Sequence, residues 1–197
     1  MIGMNMDNLF SIDCGEIYLR EFSIDDVDAI YELTSQPEVY EFLQDWRSTR
    51  EQRLHWMTND EIPNNKKFIA AVPNVSGVNC LMLGIILKET GDFIGFCNTC
   101  IKEELNEPNR EIAYAISKNF RNKGYTTKAA KGLIDYLFEN TNVELLNTVV
   151  LPHNVSSNQV IKKCGFRYRG DIEIEDQTHY HYTLNKEDWK KQSRQDY

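Results

Sequence analysis

The run Arg121-Asn122-Lys123-Gly124-Tyr125-Thr126-Thr127-Lys128 constrains this chain most, because it sets a glycine turn between a strand and a helix. The strand candidate is Glu111-Ile112-Ala113-Tyr114-Ala115-Ile116. The helix candidate starts at about Thr126 and carries Ala129, Ala130, Leu133, Ile134 and Leu137 at helical spacing. A further strand, Leu145 to Leu151, follows. Strand, helix, strand in that order predicts a right-handed crossover with local parallel pairing. The helix would aim its unpaired N–H groups into the turn, where they and the helix dipole bind an anion such as a pyrophosphate. Gly124 permits close backbone approach, and Arg121 and Lys123 add positive charge. Taken alone, such a turn is more often only a turn.

At 197 residues the chain is long enough for one well-buried core and short for two, so one domain over residues 1–197 is expected. Hydrophobic residues at 41% and charged residues at 26% fit a folded globule. A net charge of −8 argues against a nucleic-acid partner, which needs a basic stripe, and hints at a cationic one. No run is long enough to span a membrane, and Met1 to Phe10 lacks the basic start and apolar block of a signal peptide, so the expected compartment is the cytoplasm. Five scattered cysteines predict reduced thiols.

Glu16 to Phe22 reads as a first strand, and Ser23 with Asp26 as the N-cap of a helix through Val27, Ile30, Tyr31 and Thr34. Pro37 interrupts. Ser48-Thr49-Arg50-Glu51 resembles a capping box before a helical stretch with Leu54, Trp56 and Met57. Asn59 to Lys67, polar and containing Pro63, is predicted to be a loop, with Phe68 to Asn79 left ambiguous. Leu81 to Lys88 and Phe93 to Ile101 flank the turn Glu89-Thr90-Gly91-Asp92 and read as a hairpin. After an acidic connection, Lys102 to Asn109, comes the strand at Glu111. Asn154 to Cys164 looks helical, ended by Gly165. Phe166 to Ile174 and Gln177 to Leu184 close the chain as an antiparallel pair.

The segment Asn154-Val155-Ser156-Ser157-Asn158-Gln159-Val160-Ile161-Lys162-Lys163-Cys164-Gly165-Phe166 resembles the Asn-x-x-Ser helix ending in Lys-x-Gly-Phe of the GNAT superfamily of acetyl-CoA-dependent N-acetyltransferases. Together with Arg121-x-x-Gly124 it covers about residues 16 to 190. Tyr18-Leu19-Arg20, the hairpin from Ile85 to Gly95, and Tyr182-x-Leu184-x-x-x-Asp188-Trp189 resemble its ribosomal-protein (RimJ/RimL-like) branch. The resemblance implies an α/β (α+β) single-domain fold, with a mixed central sheet of about six to seven strands flanked by helices. Its fourth and fifth strands would splay to admit the pantetheine arm of acetyl-CoA beside Tyr114, Ala115 and Ile116. Arg121, Asn122, Lys123, Gly124, Tyr125, Thr126 and Thr127 would hold the pyrophosphate, with Asn154 and Ser157 also on the cofactor. Thr126 departs from the family's Gly or Ala.

The implied reaction is transfer of acetyl to a primary amine by direct attack. The acceptor would be a protein N-terminal α-amine, with a small polyamine or aminoglycoside as alternatives. Partners are acetyl-CoA and the acceptor, with no nucleic acid, membrane or metal; a homodimer is left open. Glu111 is the candidate general base, against a solvent-facing strand-end carboxylate. Asn154 could bond the pantetheine or simply cap its helix. The family's tyrosine four residues before Gly-Phe is replaced by Ile161, so Ser157 or water would protonate the thiolate. Tyr168 is a second candidate, more often a half-buried strand tyrosine. The missing tyrosine and Thr126 support a rival reading, a catalytically weak acetyl-CoA sensor. Cys97-Asn98-Thr99-Cys100 reads as core thiols rather than a zinc or redox motif. His179 and His181 share a strand face without a third ligand, and His153 lies nearer the slot.

Overall fold

A computed structural model of the chain describes residues 2–4 and 9–193. Of the N-terminal stretch read for a leader, residues 1 and 5–8 lie outside the described residues. The strands are β1 (Ile2–Met4), β2 (Phe10–Cys14), β3 (Ile17–Glu21), β4 (Cys80–Leu87), β5 (Phe93–Ile101), β6 (Arg110–Ile116), β7 (Leu145–Val150), β8 (Arg167–Ile174) and β9 (Gln177–Asn185). The helices are α1 (Val27–Thr34), α2 (Pro37–Tyr40), α3 (Arg50–Trp56), α4 (Ile62–Ala71), α5 (Tyr125–Asn140), α6 (Val155–Lys163) and α7 (Lys186–Ser193). The strands form one sheet in the order β1-β2-β3-β4-β5-β6-β7-β9-β8. It has nine strands rather than six or seven, because β1 and β2 extend the edge ahead of the first predicted strand.

Every neighbouring pair is antiparallel except β6 and β7, which run parallel and share one register pair, Glu111 with Asn147. The strands diverge beyond that pair, so the expected splay is present. Two apolar layers cover the sheet. On one face α5 buries Ala129, Ala130, Leu133, Ile134 and Leu137 against Leu19, Leu83, Ile85 and Ile112. On the other, Val27, Ile30 and Leu33 of α1 pack with Met57, Phe96 and Ala115. Alternate strand residues face opposite layers, so β5 gives Cys97 to the first and Phe96 to the second.

Local signals explain most element ends. Ser23 and Asp26 form a reciprocal capping box, and Arg20 forks onto Asp26 at 2.6 and 2.7 Å. The cap of α3 is shifted by one from the expected pair, being Thr49 with Gln52. Pro37 does not merely interrupt: it opens α2, where its missing N–H costs nothing.

The predicted loop Asn59 to Lys67 is helical. A π turn, Met57–Glu61, leads into α4, and Pro63 sits in the first turn of α4. That segment is held by burial rather than by amphipathic pattern. Arg53, 1% exposed, donates to Glu61 at 2.6 Å and to the Trp46 carbonyl at 3.2 Å, and its guanidinium lies over the Trp46 and Trp56 rings. Burial raises the Glu61 carboxyl, with Arg53 opposing. Asn65 pairs with both backbone groups of Met82.

The expectation of reduced thiols fails at one place. Cys80 and Cys100 are register partners on β4 and β5 and form a disulfide, leaving Cys14, Cys97 and Cys164 free. Cys97 is a core thiol as expected, whereas Cys100 is not. The cysteine count therefore no longer argues for a reducing compartment. Among the described residues, no helix is long and apolar enough to cross a membrane.

Candidate active site

The divergence of β6 and β7 opens a cleft of about 730 Å³. Its walls are β6, the turn before α5, the start of α6, the segment after α2, and parts of β5 and β9. Of the residues predicted to meet the cofactor, Tyr114, Ala115, Ile116, Arg121, Asn122, Gly124, Tyr125, Thr126, Thr127, Asn154 and Ser157 all line it, as does Glu111. Lys123 does not. Its ammonium lies over the Phe120 ring, 5.4 Å from the centroid.

The turn is built as its sequence implied. Asn122 and Gly124 have φ of 61° and 79°, and Gly124 is the N-cap of α5 with no side-chain cap bond. A Cβ on Gly124 would meet nothing within 4 Å, so the space over the helix end is open. The first-turn N–H groups of α5 therefore face a cleft with no capping side chain, as a phosphate seat requires. Arg121 is less free than its charge suggested, because its guanidinium donates to the Glu38 carbonyl at 2.7 Å. It ties α2 to the turn.

Farther in, the inner edge of β6 lacks a ladder partner beyond Glu111, leaving backbone groups open to an extended amide-bearing arm. A dry wall faces it: Trp46 stacks on Phe96 with centroids 4.1 Å apart. An anion seat at one end and an open strand edge at the other fit the pyrophosphate and pantetheine of coenzyme A.

Glu111 is half-buried at the root of the cleft and accepts a hydrogen bond from the Val149 N–H at 3.3 Å. Burial raises its pKa to about 7; Lys102 and the Val149 bond oppose that rise, and Glu104 adds to it. Glu111 therefore borders the cleft rather than lying on the open surface. Tyr114 meets Ser157 through its hydroxyl, 3.0 Å from Oγ and 3.2 Å from the carbonyl, and burial pushes its phenol well above the ordinary range.

Asn154 caps α6, its side-chain oxygen accepting from the Ser157 N–H and the Ser156 hydroxyl, each at 3.1 Å. Ile161 is 0% exposed in the core beneath α6. It is not among the cleft-lining residues, so Ile161 itself takes no part in the chemistry. Tyr168 is 52% exposed, bonded to Asp171 at 2.6 Å and outside the cleft wall, so it is neither half-buried nor placed for proton transfer.

The other candidates are dispersed. His179 lines the cleft, His181 bonds Asn147 through Nε2 at 2.9 Å, and His153 packs against Phe42. No group of three potential metal ligands occurs among the described residues. Burial raises the Cys164 thiol to about 12 and the Cys97 thiol well above its usual value, leaving neither poised as a nucleophile.

Three asparagines escaped sequence reasoning. Asn147, at the pivot of the splay, donates to the Pro108 and Arg110 carbonyls at 2.9 and 3.2 Å. Asn158 donates to the Leu151 and Asn154 carbonyls and accepts from the Tyr182 hydroxyl at 2.7 Å, fastening α6 to β9. Its spacing of four from Asn154 puts both on one helix face, the only available signal. Asn98, on the cleft wall, gave no signal of its own.

An acetyltransferase (GNAT) domain model matches residues 16–167. The uncharacterized N-acetyltransferase YnaD of Bacillus subtilis (strain 168) is 26% identical over 179 residues, covering 88% of this chain and 95% of the relative. Aminoglycoside acetyltransferase AAC(6')-Ib, solved with coenzyme A and kanamycin, superposes with a TM-score of 0.71 at 17% identity, over 90% of this chain and 99% of that one. A Vibrio cholerae protein provisionally assigned as a ribosomal-protein-serine acetyltransferase gives 0.66 at 16% identity, over 89% and 97%. Those two structures share the fold. The family model, matched over most of the chain and lying on the splayed strands and their glycine turn, carries the conclusion: the chain belongs to the GNAT family of acetyl-CoA-dependent N-acetyltransferases.

Proposed function

We propose that this enzyme acetylates the α-amine of a protein N-terminus, as the RimJ/RimL-like resemblance suggests, with Glu111 as general base. The observation that carries the reading is Glu111 at the root of the cleft, held there by the Val149 N–H at 3.3 Å, where burial raises its carboxyl to about 7. A base of that strength is nearly matched to an α-ammonium, at about 7.7–8.0, and poorly matched to an alkyl ammonium near about 10.4. The likeness to the ribosomal-protein acetyltransferase and that to the aminoglycoside enzyme are both likenesses of fold, so they do not rank the acceptors.

In this reading the turn from Arg121 to Thr127 seats the pyrophosphate through the α5 N–H groups, and the open edge of β6 holds the pantetheine. Acetyl-CoA supplies a thioester carbonyl when bound. Glu111 removes a proton from the ammonium, leaving a neutral amine to attack. The Tyr114–Ser157 hydroxyl pair, 3.0 Å apart, relays to the departing sulfur the second proton that the attacking nitrogen sheds as the amide forms, so neither hydroxyl is left ionised. A thiol with a pKa of about 8.5 leaves readily enough that a weakly acidic hydroxyl suffices. Asn154 contributes by capping α6 and so fixing Ser157.

Two measurements test this. Calorimetry with coenzyme A should show binding that Gly124→Trp abolishes; unchanged affinity would remove the cradle assignment. A thiol-release assay across N-terminal peptides, spermidine and kanamycin should show the highest kcat/KM with a peptide. Turnover of spermidine or kanamycin alone would replace the acceptor.

A further inference from the structure

Asn98 is 5% exposed on β5, lines the cleft, and its Oδ1 has no hydrogen-bond partner. An orphaned buried carbonyl costs about 1–3 kcal/mol, and such groups call for a reason. Its surroundings supply one. The Asn98 Nδ2 points at two sulfurs, Met82 Sδ at 3.2 Å and Cys100 Sγ at 4.0 Å. A thioether carries no hydrogen, and Cys100 is oxidised onto Cys80, so both sulfurs can only accept. Turning the amide over would set its oxygen against their lone pairs, so this sulfur pair fixes the NH₂ inward and leaves the oxygen over.

The register fixes where that oxygen lies. Asn98 pairs with Ala113 and Cys100 with Glu111, so Asn98 and Glu111 share one sheet face as diagonal neighbours on β5 and β6. Diagonal neighbours stand about 7–8 Å apart, a span that one nitrogen bonded to both side chains would bridge. An ammonium carries three N–H donors, and a carboxylate plus a fixed carbonyl accept two of them. The oxygen is itself buried, so the amine would reach it after a small tilt about the soft terminal torsion of asparagine that leaves the NH₂ on the sulfurs.

We propose that Asn98 is the acceptor-binding residue of this enzyme, its Oδ1 accepting a hydrogen bond from the substrate amine and holding that nitrogen beside Glu111. The proposal rests on the reading of the cleft as an amine-acetylating site. It extends that reading by naming the group that would hold the acceptor nitrogen.

The test is calorimetric titration of the coenzyme A-loaded protein with a short peptide bearing a free α-amine, with spermidine and with kanamycin. Asn98→Leu should weaken the amine that binds wild type best by about ten- to hundred-fold. Coenzyme A affinity should stay unchanged. Asn98→Asp, kept protonated by its burial beside Glu111 so that its O–H takes the place of the NH₂ toward the sulfurs and its carbonyl remains the acceptor, should keep more amine affinity than Asn98→Leu. Equal amine affinity in wild type and Asn98→Leu overturns the proposal, and so does equal loss in Asn98→Asp and Asn98→Leu, which would indicate shape rather than the oxygen. Failure of every amine to bind wild type overturns it too. Removing an unsatisfied carbonyl should leave Asn98→Leu at least as thermally stable as wild type. Turnover is scored apart: if amines bind through Asn98 and none is acetylated, acetyl transfer fails while the amine seat stands.

Discussion

Glu111→Gln should make the protein more stable and much less active, and the two effects should separate on one pH axis. In the fold the carboxyl titrates at about 7 against an ordinary 4.5. Between those values the unfolded chain has lost the proton and the folded chain keeps it. Stability therefore falls as pH rises through that window and levels off above about 7. The loss is on the order of 3 kcal/mol as an upper bound, since the group is only half-buried and water screens part of the cost. A neutral glutamine escapes it. Urea unfolding of wild type and variant should thus agree near pH 4.5 and diverge progressively to pH 7.5, with the variant the more stable. Over the same range the wild-type kcat/KM should rise along a limb centred near 7, as the base becomes available. The variant should lose that limb and fall by about 10²–10⁴ in rate. A variant with parallel stability curves and an unchanged pH–rate limb would refute both the burial argument and the role of Glu111.

Other perturbations test separate parts. Tyr114→Phe removes the hydroxyl partner of Ser157 and should lower kcat by at least about a hundred-fold with little change in the KM for acetyl-CoA; an unaltered kcat would assign the proton to water. Asn154→Ala should cost about 1 kcal/mol in urea unfolding through the lost cap of α6. Arg53→Leu leaves the buried Glu61 without its ion-pair partner and should cost about 3–5 kcal/mol. Glu61→Gln, which keeps an acceptor for Arg53, should cost distinctly less by the same measurement.

Much of the fold was legible because its signals are local. Ser23 with Asp26, the hairpin around Gly91, and Asn154 with Gly165 each announce an element end within a few residues, and the alternation in Arg110–Ile116 announces its strand. What failed depends on distant partners. The stretch 59–67 reads as loop because its helical state is secured by Arg53 reaching Glu61 and by Asn65 reaching Met82. Neither contact has a pattern in sequence. Cys80 and Cys100 become partners through the β4–β5 register, and spacing along the chain does not reveal that. Within the site, the residues of the glycine turn and of α6 could be brought to one cleft from sequence because a compact motif holds them. Lys123 stands outside the cleft lining with its ammonium over the Phe120 ring, a placement that a charge count along the sequence does not reveal. Asn98, Asn147 and Asn158 were invisible because an asparagine is defined by what it bonds.

The single backbone pair joining β6 to β7 makes the sheet two leaves hinged on a seam, with Asn147 as its pin. A ligand lying in that seam supplies the missing rungs and becomes a structural member of the protein. Unfolding should then be loosely cooperative without coenzyme A and tightly cooperative with it, stabilised by about 2.7 kcal/mol at a hundred times the dissociation constant. Hydrogen exchange should register the change first along the inner edge of β6, before any other strand responds. Each turnover that releases coenzyme A would also loosen this seam, linking the catalytic cycle to the rigidity of the sheet.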